Sequence, residues 1–216
     1  MRNVVLMGPP GSGKGTQATR LAAIYGLKHV STGEILRAAV RTESELGATV
    51  EAMLAAGELV PDDLMMDLIR ESLAGVDVEN GGWLLDGFPR TAPQAVGLVG
   101  VLEDLGHDAP LVIDIVVPDE EIVERLSGRL TCDRDSHVTA KGEADEGDKC
   151  PHCNGRLYIR ADDKPETVRN RLSVFREKTE PAKDEMSRHW NVVQLDGLGR
   201  PEDVTQRIAG VIKAAN

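Results

Sequence analysis

The stretch Val4-Val5-Leu6-Met7-Gly8-Pro9-Pro10-Gly11-Ser12-Gly13-Lys14-Gly15-Thr16 decides the fold. Val4 to Met7 is a short apolar run of the kind buried in a parallel sheet, and Gln17 to Tyr25 reads as the helix that follows. Strand, glycine-rich loop and helix in that order make a phosphate cradle. Glycines let the backbone wrap an anion closely, N–H groups point inward at the positive end of the helix, and Lys14 adds a point charge. The strict phosphate-loop pattern has Ser or Thr directly after the lysine. Here Gly15 holds that place and Thr16 follows one later.

Outward from this loop, apolar runs at Trp83 to Leu85, Leu111 to Val117 and Val192 to Leu195 alternate with helical periodicity, and His29-Val30 suggests one more short strand. That alternation predicts a parallel sheet covered by helices on both faces. Helices are expected over Gly15 to Tyr25, Glu34 to Val40, Ser44 to Ala55, Pro61 to Leu73, Ala92 to Leu105, Asp119 to Leu126, Lys164 to His189 and Pro201 to Ala214. Between Thr131 and Ile159 the periodicity stops. A polar segment of that length with no helix or strand pattern is functional, disordered or separately stapled.

The chain has 216 residues, enough to bury a full core as one domain with inserted lobes. Its net charge of −11 argues against nonspecific attraction to nucleic acid, so arginines at motif positions carry more weight than they would in a basic protein. No run of 18 or more apolar residues occurs, nor a charged, apolar, small-residue leader, so membrane insertion and export are not expected and a cytoplasmic location is. All three cysteines fall between Cys132 and Cys153, a grouping that suits a metal site better than a disulfide framework.

A second motif, Trp83-Leu84-Leu85-Asp86-Gly87-Phe88-Pro89-Arg90-Thr91-Ala92-Pro93-Gln94, carries a buried strand into an acid and then an arginine. Ligands of open α/β sheets bind at that carboxyl edge. Together with the glycine loop, it resembles the signature of the adenylate kinases. Ser31-Thr32-Gly33-Glu34-Ile35-Leu36-Arg37 is similar to the family's monophosphate-binding segment, and Leu59-Val60-Pro61-Asp62 to its far boundary, so the resemblance covers essentially the whole chain. It implies a three-layer α/β core of the P-loop NTPase kind with a five-stranded parallel sheet. Residues 1–30, 61–127 and 163–216 would form that core, 31–60 an AMP-binding lobe and 128–162 a lid. Hinges are expected near Gly33, Gly57, Gly128 and Asp162-Asp163.

The same resemblance implies reversible, Mg²⁺-dependent phosphoryl transfer from ATP to AMP, giving two ADP, by a monomer. Such transfer needs no general base, because the attacking group is already an anionic phosphate; placement and charge neutralisation carry the catalysis. Lys14, Arg37, Arg90, Arg125, Arg129, Arg160 and Arg171 match family positions that reach phosphates, and Arg presents a planar fork of donors suited to them. Gly11, Ser12, Gly13, Lys14, Gly15 and Thr16 with Arg125 and Arg129 would hold ATP. Thr32, Arg37, the Glu58, Leu59 and Val60 backbone, Gly87, Phe88, Pro89, Arg90 and Gln94 would hold AMP, with Arg160 and Arg171 bridging the two phosphate chains. Asp86 is expected to organise Mg²⁺ through water.

The polar insert carries Cys132 and then Cys150-Pro151-His152-Cys153. Taken alone, the Cys-x2-Cys element fits a metal pair or a redox pair; the flanking Gly147-Asp148-Lys149 and Asn154-Gly155 suit a zinc knuckle turn. Long-form adenylate kinases often carry two Cys-x2-Cys elements, or one with Asp as its last residue, in this lid. Here Asp135 stands where the first element's second cysteine would be, and His137 follows it. Imidazole suits a thiolate-rich structural Zn²⁺ better than carboxylate, so the expected set is Cys132, His137, Cys150 and Cys153. Met65-Met66, Trp83 and Phe175 read as core, His29, His107 and His189 as surface or capped residues, and Asp119-Glu120-Glu121 as a solvated helix face.

Overall fold

A computed structural model describes residues 3–41, 45–76, 81–135, 137–139 and 142–215. Strand β1 (Asn3–Met7) is central, and its alternation shows why the sheet is buried on both faces. Val5 and Met7 join one apolar cluster and Val4 and Leu6 the other. With β2 (Lys28–Ser31), β3 (Trp83–Asp86), β4 (Leu111–Val116) and β8 (Val192–Asp196), it forms a five-stranded sheet in the order β2-β3-β1-β4-β8, every pair parallel. One face packs α4 (Asp62–Ala74), α5 (Ala92–Leu105) and α8 (Glu180–Ser187) around Trp83 and Leu85. The other packs α1 (Lys14–Tyr25), α6 (Asp119–Ser127), α7 (Pro165–Val174) and α9 (Pro201–Ala214) around Leu84 and Ile113. Each large side chain buried in this way contributes about 1.5 to 3 kcal/mol. Two further helices, α2 (Thr32–Val40) and α3 (Glu45–Ala56), leave the sheet edge after β2.

Observed helix ends lie within a few residues of the expected ones, with two informative departures. Ser44, where the sequence places a helix start, lies outside the described residues. The single helix expected over Lys164 to His189 is interrupted by a π-helical turn at Phe175–Thr179, where the Glu180 N–H reaches back to the Phe175 carbonyl. Pro181 accounts for it: without an N–H, and with a ring that crowds the carbonyl four residues earlier, proline forces a wider turn ahead of itself.

The polar insert is not patternless. Strands β5 (Leu130–Cys132), β6 (Val138–Thr139) and β7 (Leu157–Tyr158) form an antiparallel sheet in the order β6-β5-β7. They are two or three residues long, too short for alternation to register in the sequence. Their own small cluster is Leu130, Cys132, Cys150 and Leu157. Among the described residues, no helix is long and apolar enough to cross a membrane.

Candidate active site

The loop between β1 and α1 opens onto a cleft of about 1330 Å³ at the carboxyl end of the sheet. Gly8 takes φ 136°, and a Cβ there would lie 2.4 Å from the Ile115 carbonyl oxygen, so only glycine lets the loop pass the end of β4. Helix α1 begins at Lys14 behind Gly13, with no side-chain cap and no acid in its first turn. Its terminal N–H groups and dipole are therefore free for an anion. The Lys14 ammonium rests on the Gly8 and Pro9 carbonyl oxygens, 2.7 Å from each. Burial lowers its pKa to about 8, against the pull of Asp86.

Asp86 ends β3 across from this loop. Burial acts to raise its carboxyl, but His29, Lys14 and Arg90 outweigh that and hold it below its ordinary value. His29 Nε2 lies 3.7 Å from Asp86 Oδ2 and is buried without a hydrogen-bond partner among the described residues. The expectation of a surface or capped His29 therefore fails: β2 pairs with β3 in a register that sets His29 against Leu84, two residues from Asp86 and on the same face of the strand.

Arginines converge on the cleft from every side. Arg90 is lowered to about 10 by burial and then by Arg171, while its Nε donates to the Gly87 carbonyl at 2.7 Å. Arg160 is likewise lowered to about 10 by burial and then by Arg129 and Arg37, and its buried Nε has no partner among the described residues. Arg129 meets both Asp163 oxygens, at 2.8 and 2.5 Å. Arg171 reaches Asp162 at 2.9 Å and Asp163 at 3.2 Å. Arg125 is held by Glu121 at 2.8 Å, so the acidic face of α6 is not simply solvated. Cations this crowded, in an acidic protein, leave a demand for anionic charge.

In the small sheet, Cys132, Asp135, Cys150 and Cys153 bring one ligand atom each to within 4.8 Å of one another. Cys132 Sγ and Cys153 Sγ are 3.4 Å apart, and Cys150 Sγ is 3.8 Å from Asp135. Backbone N–H groups of Arg134 and His152 point at Cys132 and Cys150 sulfur. Gly155 permits this turn, since a Cβ there would sit 2.6 Å from Cys132 Sγ. Desolvation pushes the Cys132 thiol up to about 12, and the His137 N–H and Cys132 help hold Asp135 down at about 2. The donor set, three sulfurs and a carboxylate, fits a tetrahedral structural Zn²⁺.

The adenylate kinase family model matches residues 6–189. The adenylate kinase of Methanosarcina barkeri is 42% identical over 212 residues, covering 98% of each chain. That of Methanothrix thermoacetophila is 43% identical over 212 residues, covering 97% of this chain and 98% of its own. That of Kosmotoga olearia is 44% identical over 210 residues, covering 95% and 96%. The chain belongs to the adenylate kinase family.

Within this adenylate kinase fold, Gly11 to Thr16, Arg37, Glu58, Leu59, Asp86 to Arg90, Arg125, Arg129, Arg160 and Arg171 all line the one cleft. Thr32, Val60 and Gln94 do not; all three are buried behind its wall. The Thr32 hydroxyl donates to the Gly87 carbonyl at 2.9 Å and so braces the strand end. The expected metal set needs one correction: Asp135, not His137, completes the group. The Asp135 carboxylate accepts the His137 N–H at 2.9 Å, while the His137 ring stacks on His152 with centroids 3.8 Å apart. Sequence reasoning ranked ligand chemistry above position, and the Cys132-x2-Asp135 spacing was the better signal. It also missed Asp162 and Asp163 as partners of the arginines, for which Arg160-Ala161-Asp162-Asp163 was the available sign.

Proposed function

We propose that this cleft moves the terminal phosphoryl group of ATP to the phosphate of AMP, giving two ADP, through the residue roles that follow. Gly11 to Thr16, Arg125 and Arg129 take the ATP phosphates. Arg37, Arg90 and the Glu58–Val60 backbone take AMP, Gln94, buried behind the cleft wall, reads its base once the lobes close on it, Thr32 supports that side, and Arg160 and Arg171 span both phosphate chains. An AMP phosphate oxygen attacks the terminal phosphorus of ATP, the bond to the bridging oxygen breaks, and ADP leaves carrying that electron pair. No proton need move. The protein's part is in-line placement and neutralisation of the spread charge.

The observation that carries this reading is the uncapped α1 N-terminus with Lys14, set in one cleft with Arg90 and with Arg160, whose Nε has no partner among the described residues. Asp86, kept ionised at the strand end, would hold Mg²⁺ through its waters. When bound, that cation neutralises charge between phosphate oxygens. Lid and AMP lobe, at 128–162 and 31–60, are read as closing on the 1–30, 61–127 and 163–216 core to exclude water, which would otherwise compete with AMP. Cys132, Asp135, Cys150 and Cys153 would hold a structural Zn²⁺, since four protein ligands leave no open position for catalysis. A thiol-rich metal set suits a reducing, cytoplasmic setting, and the family likeness favours a monomer.

A coupled assay over a panel of nucleoside monophosphates tests the reading. ADP formation with AMP far above the other acceptors, lost in Lys14→Met, is the expected result. Equal rates on every monophosphate, or none on AMP, would overturn it.

A further inference from the structure

Asp62, the first residue of α4, lies just past the Glu58–Val60 segment and holds two partners. Its Oδ1 accepts from Gln94 Nε2 at 2.7 Å and its Oδ2 from the Thr91 hydroxyl at 3.0 Å. On the other side, the Arg90 backbone N–H donates to Gln94 Oε1 at 2.8 Å. The Thr91 hydroxyl also caps α5, accepting the Gln94 N–H at 3.2 Å. Gln94 itself is buried, 2% exposed.

A carboxamide has two nearly isosteric ends, and by shape alone it could sit either way round. Here neither end is free to exchange. A carboxylate only accepts and a backbone N–H only donates, so Nε2 must face Asp62 and Oε1 must face Arg90. One N–H and one lone pair remain, in a fixed order. Adenine offers the matching pair, an acceptor at N1 beside a donor at the 6-amino group. Purines with a 6-oxo group offer the reverse, a donor at N1 beside an acceptor at C6. A carboxamide that flipped would read those instead.

We propose that Asp62 is a specificity-determining positioning residue: by pinning the Gln94 carboxamide in one orientation, it makes the acceptor site reject 6-oxopurine monophosphates. This rests on the reading of Gln94 as the base contact. Opposed donor and acceptor pairs in a buried site discriminate strongly, because the wrong base leaves polar groups unpaired.

The test compares kcat/KM for AMP and for inosine monophosphate in Asp62→Ala, Asp62→Asn and Gln94→Ala, with ATP saturation measured alongside. Asp62→Ala should cut the AMP-over-inosine ratio by about tenfold or more, through a higher AMP KM with the ATP KM unmoved. Asp62→Asn, which keeps an oxygen for Gln94 Nε2, should retain most of the ratio. Should Asp62→Ala fail to fold, Asp62→Leu carries the same measurement. An unchanged ratio in Asp62→Ala, or equal rises in both KM values, sinks the proposal. If Gln94→Ala also leaves the ratio unchanged, the base-reading role of Gln94 has failed; if only Gln94→Ala collapses it, the inference about Asp62 alone is wrong.

Discussion

Lys14 is the residue where burial and function pull in opposite directions. A folded pKa of about 8 lies below the ~10.4 of an exposed lysine, so the folded state sheds this proton first. Burial of the charged form therefore costs stability at neutral pH, and the cost fades as pH rises from about 8 toward 10.4. A triphosphate placed against the ammonium reverses the balance and raises the pKa. ATP binding at about pH 8.5 should take up a proton, and affinity should fall by up to about tenfold per unit above pH 8. Calorimetry in two buffers of different ionisation enthalpy reads that uptake directly, and Lys14→Met should abolish it. Binding without proton uptake in the parent enzyme would show that phosphate does not meet this ammonium. Gly15 fits the same picture, because a loop with no hydroxyl after its lysine would leave a divalent cation to Asp86, whose Oδ2 would lie 3.5 Å from a Cβ at that glycine.

At the scale of elements, legibility in the sequence followed the length of each apolar pattern. Strands β1 and β4 and helices α5 and α9 were readable because four or more buried positions announce them, and β3 and β8 because each holds a short apolar run. The three-stranded sheet was not, since its strands are too short to show a period and its order comes from donors converging on one point. Asp135 illustrates the limit: spacing put it in register with the missing cysteine, while ligand preference pointed to His137. The two differ measurably. Elemental analysis should find about one zinc per chain, kept in His137→Ala and lost or much weakened in Asp135→Ala, with Asp135→Cys restoring it. Chelation should speed amide exchange at Cys132, Cys150 and Leu157, whose N–H groups close the lid turns, by about tenfold or more while β1 is unmoved. Retention of zinc in Asp135→Ala and its loss in His137→Ala would restore the imidazole as ligand.

For the whole molecule, the arrangement to explain is an acidic protein, net −11, with a cleft crowded with arginines. Asp162 and Asp163 supply negative charge against these arginines. The Asp163 side chain is fully buried and shared by Arg129, just ahead of β5, and Arg171, on α7. Burial favours a neutral Asp162, yet Arg171 first and then Arg129 and Arg160 keep it ionised. Arginines held by carboxylates before substrate arrives stay in place at a cost, because phosphate must compete for them. Removing Asp163 should then act in two directions at once. Asp163→Ala should lose about 3 kcal/mol of stability, the low end for breaking a buried pair, since both arginines also face the cleft. The freed arginines should in turn be satisfied by phosphate, so saturating ATP and AMP should raise the melting midpoint of Asp163→Ala by more than they raise the parent's. A destabilised variant with an equal or smaller nucleotide shift would mean that the carboxylate braces the lid junction without tuning the charge of the site, and that phosphate reaches these arginines while Asp163 still holds them.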